Sequence, residues 1–288
     1  MRFLEMAVSK IGLLAVCLSL TGAVGCENET GGGGGGAALG GGARGTCCAG
    51  GDCLCHGNLP ALWNNLRGPF AVRRYGVGNG QVFYPTNAQP PFAGVSLCGG
   101  FLNTGWEMTS WGNYYASYGI VTHITNTGML DLPDARGRKL LRAVATLKQE
   151  NNRIGSPLQG KMSNRYGTSG YSMGGGGTTL ASRSDRTLKA SVALAAWAPT
   201  GLGVSVPTLF LCGGVDLIAG CGGARGSLPL INAPKMIVTA PLAGHLAWFG
   251  PGDTGLGKYG LAWLKTYLEG DTRWKQFLQQ GIVTARNL

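Results

Sequence analysis

From Asn58 onward the apolar positions fall into short runs that alternate with stretches of helical spacing. Phe70–Tyr75 and Gln81–Tyr84 read as paired strands, Gly94–Leu97 is a short apolar run ending in Cys98-Gly99-Gly100, and Ile120–Thr125 is β-branched. Leu140, Leu141, Val144 and Leu147 recur at helical spacing between Ala135 and Glu150. Gly170-Tyr171-Ser172-Met173 leads into small residues up to Ser182, and Ala190–Ala195, Thr208–Leu211 and Met236–Thr239 again read as strands. The last third closes with helical segments over Gly257–Leu268 and Arg273–Gln280, Leu261, Leu264 and Leu268 marking one face of the first. Strands alternating with helices predict an α/β fold, a mostly parallel sheet covered on both sides. No internal repeat is visible.

Composition narrows this picture. With 288 residues the chain can bury a sizeable core, and its 52 glycines lack the G-x-y period of collagen. Apolar residues at 44% exclude bulk disorder, while charged residues at 13% leave the surface to Ser, Thr, Asn, Gln and Gly. The formal charge of +11 favours anionic surfaces. No basic run with interleaved aromatics accompanies it, so nucleic acid is not an expected partner.

The first residues carry the basic groups Arg2 and Lys10, the apolar stretch Ile11–Leu20 and then Ala23-Val24-Gly25 before Cys26, which predicts a signal peptide over residues 1–25 and export. Ala23-Val24-Gly25-Cys26 is similar to a bacterial lipobox, so Cys26 is a candidate for lipidation and membrane attachment, with ordinary cleavage at the same bond as the alternative. Residues 26–57 hold a glycine run, Gly31–Gly36, suited to a flexible tether, and then Cys47, Cys48, Cys53, Cys55 and His56. That cluster is read as a disulfide-pinned knot, since export favours disulfides, with zinc as the competing reading. The globular domain is assigned to residues 58–288, with no transmembrane helix after processing.

Gly170-Tyr171-Ser172-Met173-Gly174 matches G-x-S-x-G, where small residues flank a serine held in a tight strand-to-helix turn. In so glycine-rich a chain the match alone is weak. Elimination adds specificity, because a serine nucleophile needs an imidazole base and a carboxylate to orient it, and the chain has 3 histidines. His56 lies in the cysteine cluster and His123 inside a strand, whereas His245 follows Ser172 in a loop after a strand. Two acids stand between Ser172 and His245. Asp185, between Arg183 and Arg186, reads as a surface charge, and Asp216 follows the strand Thr208–Leu211 through Cys212-Gly213-Gly214. Ser172, Asp216 and His245 is therefore the expected triad, in the chain order of an α/β-hydrolase. Backbone N–H groups of Met173 and of Phe101, after Gly99-Gly100, are the expected oxyanion donors.

These residues resemble the polyester hydrolases of the bacterial cutinase and poly(ethylene terephthalate) hydrolase type, within the dienelactone-hydrolase-like α/β-hydrolases. The resemblance covers about residues 68–279 and is strongest at Tyr171-Ser172-Met173-Gly174-Gly175-Gly176-Gly177. Gly68-Pro69-Phe70-Ala71-Val72-Arg73, Ala196-Trp197, Asp216-Leu217-Ile218-Ala219 and Leu261-Ala262-Trp263-Leu264-Lys265 continue it. It implies an α/β-hydrolase fold without a cap domain, the same triad and oxyanion donors, an aromatic substrate clamp at Phe101 and Trp197, and Tyr171 and Ile218 lining the cleft; Trp197 as plain core is the alternative. Phe101 departs from the family's tyrosine, Cys212 matches a family cysteine whose partner position here is Ala247, and the C-terminal disulfide is missing. Leu246-Ala247-Trp248-Phe249 is more apolar than the family's loop. The expected function is a secreted or lipid-anchored, cofactor-free and metal-free serine ester hydrolase, monomeric, acting on esters or polyesters. A short-chain acetyl or aryl esterase and a non-catalytic surface-binding lipoprotein are the alternatives.

Overall fold

The computed structural model describes residues 53–59 and 66–279 and the backbone of a last strand at 283–287. The expected signal peptide, Cys26, the glycine tether, Cys47 and Cys48 lie outside the described residues. Along the chain run β1 (Val72–Gly76), β2 (Gly80–Pro85), β3 (Phe92–Cys98), α1 (Thr109–Ser117), β4 (Val121–Thr125), α2 (Pro133–Asn152), β5 (Met162–Tyr171) and α3 (Met173–Ser184). There follow β6 (Ala190–Leu194), β7 (Thr208–Gly213), α4 (Cys221–Ser227), β8 (Lys235–Ala240), α5 (Gly257–Trp263), α6 (Lys275–Leu278) and β9 (Val283–Asn287).

The described strands form one sheet in the order β1-β2-β4-β3-β5-β6-β7-β8-β9. Its central part, from β4 to β8, is parallel, and antiparallel β1, β2 and β9 flank it. β3, β4, β6 and β7 are buried along their whole length, as the continuous apolar runs of a sheet covered on both faces require. This is an α/β-hydrolase fold, and among the described residues the link from β6 to β7 contains no helix that could form a cap.

Four features depart from the sequence reading. β5 was not anticipated, because MSNRYGTSGY offers small polar residues where a buried strand normally shows Val and Ile; Gly167 earns its place, since a side chain there would come within 2.6 Å of the Ala190 carbonyl. α1 was also missed, although Trp111, Tyr114 and Tyr115 bury one face of it. The single helix expected over Gly257–Leu268 is α5 continued by a wider π turn at Leu264–Glu269, and Arg273–Gln280 contracts to a short 3₁₀ turn plus the four-residue α6. Finally, the body begins before residue 58. Leu54 packs on the main core and donates its N–H to the Glu269 carbonyl, and the Nδ1–H of buried His56 donates to Glu269 Oε1 at 2.9 Å. Cys53 and Cys55 are disulfide-bonded, in keeping with the disulfide reading of that cluster.

Candidate active site

The sheet order sets the C-terminal ends of β3, β5, β6, β7 and β8 side by side, at the edge where open α/β sheets carry their ligands. β5 ends at Tyr171 and α3 starts at Met173, so Ser172 alone turns the chain, with φ 54° and ψ −115°. Positive φ on a residue with a side chain costs about 1–3 kcal/mol and persists only where its surroundings hold it. Here the Ser172 N–H donates to the Leu194 carbonyl, and the Ser172 carbonyl accepts from Gly176 and Trp197. The flanking glycines are required sterically, because a side chain on Gly170 would lie 2.2 Å from the Gly174 carbonyl oxygen. The unusual run Gly174–Gly177 opens α3 despite a helix penalty of about 1 kcal/mol each. Side chains there would meet the carbonyls of Gly99 and Trp197 at 2.5 and 2.2 Å, so the run lets α3 press against the loops after β3 and β6.

The loop after β8 brings His245 Nε2 to 2.8 Å from Ser172 Oγ, and the loop after β7 brings Asp216 Oδ2 to 2.8 Å from His245 Nδ1. The Asp216 side chain is fully buried, and its second oxygen accepts the N–H groups of Ile218 and Ala219 at 2.9 and 2.8 Å. An ionised carboxylate only accepts, so Nδ1 carries the proton and Nε2 presents its lone pair to the serine hydroxyl. That tautomer leaves Nε2 able to accept the Ser172 hydroxyl proton. The structure thus brings together the three residues expected from the order of the motifs. On the other side of Ser172, a side chain on Gly100 would come within 2.6 Å of the serine Cβ, so the loop after β3 abuts the nucleophile. The neighbouring amides of Leu102 and Asn103 are engaged by Met129 and Gly100 carbonyls, whereas among the described residues nothing accepts from Phe101 N–H. Met173 is the first residue of α3, and its N–H has no intrahelical acceptor.

The sequence profile of the PET hydrolase-like family matches residues 60–287. The chain belongs to that family. It is 34% identical over 230 residues to the bis(hydroxyethyl) terephthalate hydrolase of Streptomyces coelicolor, covering 74% of this chain and 72% of the relative. It is 33% identical over 238 residues to cutinase 1 of Thermobifida cellulosilytica, covering 77% of this chain and 88% of the relative, and equally to a cutinase of Thermobifida fusca, with 77% of each covered.

Within this PET hydrolase-like chain the remaining predicted positions fall into two groups. Phe101, Trp197 and Ile218 are exposed on the loops after β3, β6 and β7 that adjoin Ser172 and Asp216, Trp197 at 37% and Ile218 at 64%. Trp197 is therefore not plain core, and its backbone N–H donates to the Ser172 carbonyl. Tyr171 is elsewhere than expected. Only 3% of it is exposed, so it does not line the cleft; its ring lies 5.2 Å from the His245 ring and its hydroxyl donates to the His245 carbonyl at 2.9 Å. Burial pushes the phenol pKa up, with the Asp216 charge adding to it, so Tyr171 remains a donor. The histidine loop is held a second time by Trp248, fully buried, whose carbonyl accepts the Trp111 indole N–H at 2.8 Å. The apolar Leu246–Phe249 stretch is thus partly an anchor, a role that its sequence signals only as missing polarity.

The two other histidines stay apart from this site. His123 is buried in β4, its ring nitrogen near the Val77 carbonyl, and burial lowers its pKa. Cys98, a free thiol at the end of β3, is pushed up to about 12 by burial and is no nucleophile at neutral pH. Large apolar side chains are exposed on the loops around Ser172, although Lys139 reaches Asp131 Oδ2 at 2.6 Å. Leu217 and Leu242 are 98% and 90% exposed, and the loops at 99–105, 126–132, 195–207, 214–220 and 241–256 contain no lysine or arginine.

Proposed function

We propose that this chain is a serine carboxylic-ester hydrolase with an open cleft, acting on apolar esters up to polyesters of the terephthalate or cutin type. The observation that carries the reading is the chain of two 2.8 Å contacts from Ser172 Oγ through His245 to Asp216. Ser172 Oγ attacks the ester carbonyl as His245 Nε2 takes its proton. Asp216 holds the imidazolium, and the N–H groups of Phe101 and Met173 receive the developing oxyanion. His245 then returns the proton to the leaving alcohol, and water repeats the sequence on the acyl-enzyme. The relatives' names support an ester or polyester substrate, and the uncapped rim with exposed Leu217 and Leu242 suits a bulky apolar one. Residues 1–25 act as the export signal, and Cys26 is the point where a lipid would anchor the tether.

Without a cap, the cleft cannot bury a long acyl chain. A buried methylene contributes about 0.8 kcal/mol, close to fourfold in rate per carbon where fully used. Across nitrophenyl esters of increasing acyl length, kcat/KM is expected to peak at short chains and then flatten, while a polyester film releases soluble fragments. A steady rise to long chains would refute the open cleft, and an inert film with good short-ester turnover would restrict the enzyme to small acetyl or aryl esters.

A further inference from the structure

The loop that presents Asp216 is closed on itself by a disulfide. Cys212, near the end of β7, is bonded to Cys221, the first residue of α4, with Asp216 between them and a Cα separation of 5.5 Å. The two ends of this loop differ in strength. The Cys212 end belongs to β7, hydrogen-bonded to β6 and β8, and Gly213 and Gly214 let it touch the histidine loop: side chains there would lie 2.2 and 2.3 Å from the Ala243 and Pro241 carbonyl oxygens. The Cys221 end enters a seven-residue helix, CGGARGS, with three glycines. Each glycine costs a helix about 1 kcal/mol, and so short a helix is marginal by itself. Loop residues Val215, Leu217 and Ile218 are largely exposed, so between the strand and this weak helix Asp216 is held by its own turn, by the long 3.3 Å bond from Val215 N–H to the Ala243 carbonyl, by the buried Ala219 and by the crosslink.

We propose that the Cys212–Cys221 disulfide is a positioning element for the reaction: it ties the weak end of the acid loop to the sheet and so keeps the Asp216 carboxylate on His245 Nδ1. The proposal rests on the triad reading above. The cysteines touch neither substrate nor reacting atoms; their effect passes through Asp216.

A double-mutant cycle tests this. The full-length exported enzyme carrying C212S/C221S, alone and with D216N, is assayed on nitrophenyl acetate alongside D216N and the parent, each below its melting temperature. The expected result is a fall in kcat of about tenfold or more for C212S/C221S in the parent, with KM within about twofold, and less than a twofold change when the crosslink is removed from D216N. An unchanged kcat in the parent, or an equal loss in both backgrounds, overturns the positioning role. C212A/C221V, which fills the volume of the sulfur pair, replaces the serine pair if that does not fold; failure of both to fold makes the crosslink purely structural and also overturns the proposal. A D216N enzyme with parental turnover would instead overturn the triad reading, and the proposal with it.

Discussion

Alanine at position 172 is expected to lower kcat on a soluble nitrophenyl ester by about 10⁴-fold or more while leaving the fold in place. The hydroxyl is the only atom lost, the site is 4% exposed, and the helix start and backbone bonds that hold the turn do not depend on it. Circular dichroism and the melting temperature should match the parent. Turnover above about one per cent of the parent in the folded variant contradicts the assignment of Ser172 as nucleophile.

The second large effect concerns stability and lies on the far side of the core. Glu269 is fully buried, bonded by Lys265 Nζ at 2.8 Å and by His56 Nδ1 at 2.9 Å. Lys265 is itself fully buried; its ammonium also donates to the Tyr118 carbonyl and lies 5.9 Å from the Trp274 ring centre. Burial pushes the Glu269 pKa up, but the charge of Lys265 and the contacts with His56 outweigh it and hold the carboxyl below its ordinary range. Its ionised form therefore stabilises the folded chain above the unfolded carboxyl pKa of about 4.3, and that contribution is lost as pH falls through the lower folded value. Glu269→Gln strands Lys265 as an unpaired buried cation, a change that costs about 3–5 kcal/mol. For a domain of this size the melting temperature should fall by between about 6 and 20 °C, and the variant's stability should respond less to acid. Adding K265M, which removes the stranded charge, should recover most of the loss. A shift below about 2 °C for E269Q would show that these charges do not secure the segment at Leu54–His56 to the body.

The proposed catalytic constellation is legible because its chemistry is scarce in this sequence. Three histidines, two acids between the elbow and His245 and a chain order leave Ser172, Asp216 and His245 as the combination to expect, and local spacing places each on a loop after a strand. What was illegible depended on packing between distant segments. Tyr171 borders the nucleophile in sequence, which suggests a cleft wall, yet alternation along β5 turns its ring inward beneath His245. β5 hides behind small polar residues, its Tyr166–Tyr171 half being buried without the Val and Ile that mark a buried strand. His56 belongs by sequence to the cysteine cluster, and only the fold brings it to Glu269. A signal did exist there: Lys265 and Glu269 stand four apart in the mostly apolar stretch Leu261–Glu269, a placement suited to a paired buried charge. The partner of Cys212 could not be read from spacing, and the departure at Ala247 left it open.

The central claim is that Ser172 is activated by His245 and attacks acyl carbon and its analogues. A fluorophosphonate, which couples to an activated serine and releases fluoride, tests it directly when the folded protein is read by intact mass and peptide mapping. One adduct per chain is expected, on the peptide carrying Ser172, formed much more slowly in H245A and not at all in S172A. An adduct on another serine, or a folded parent that remains unlabelled, would contradict it.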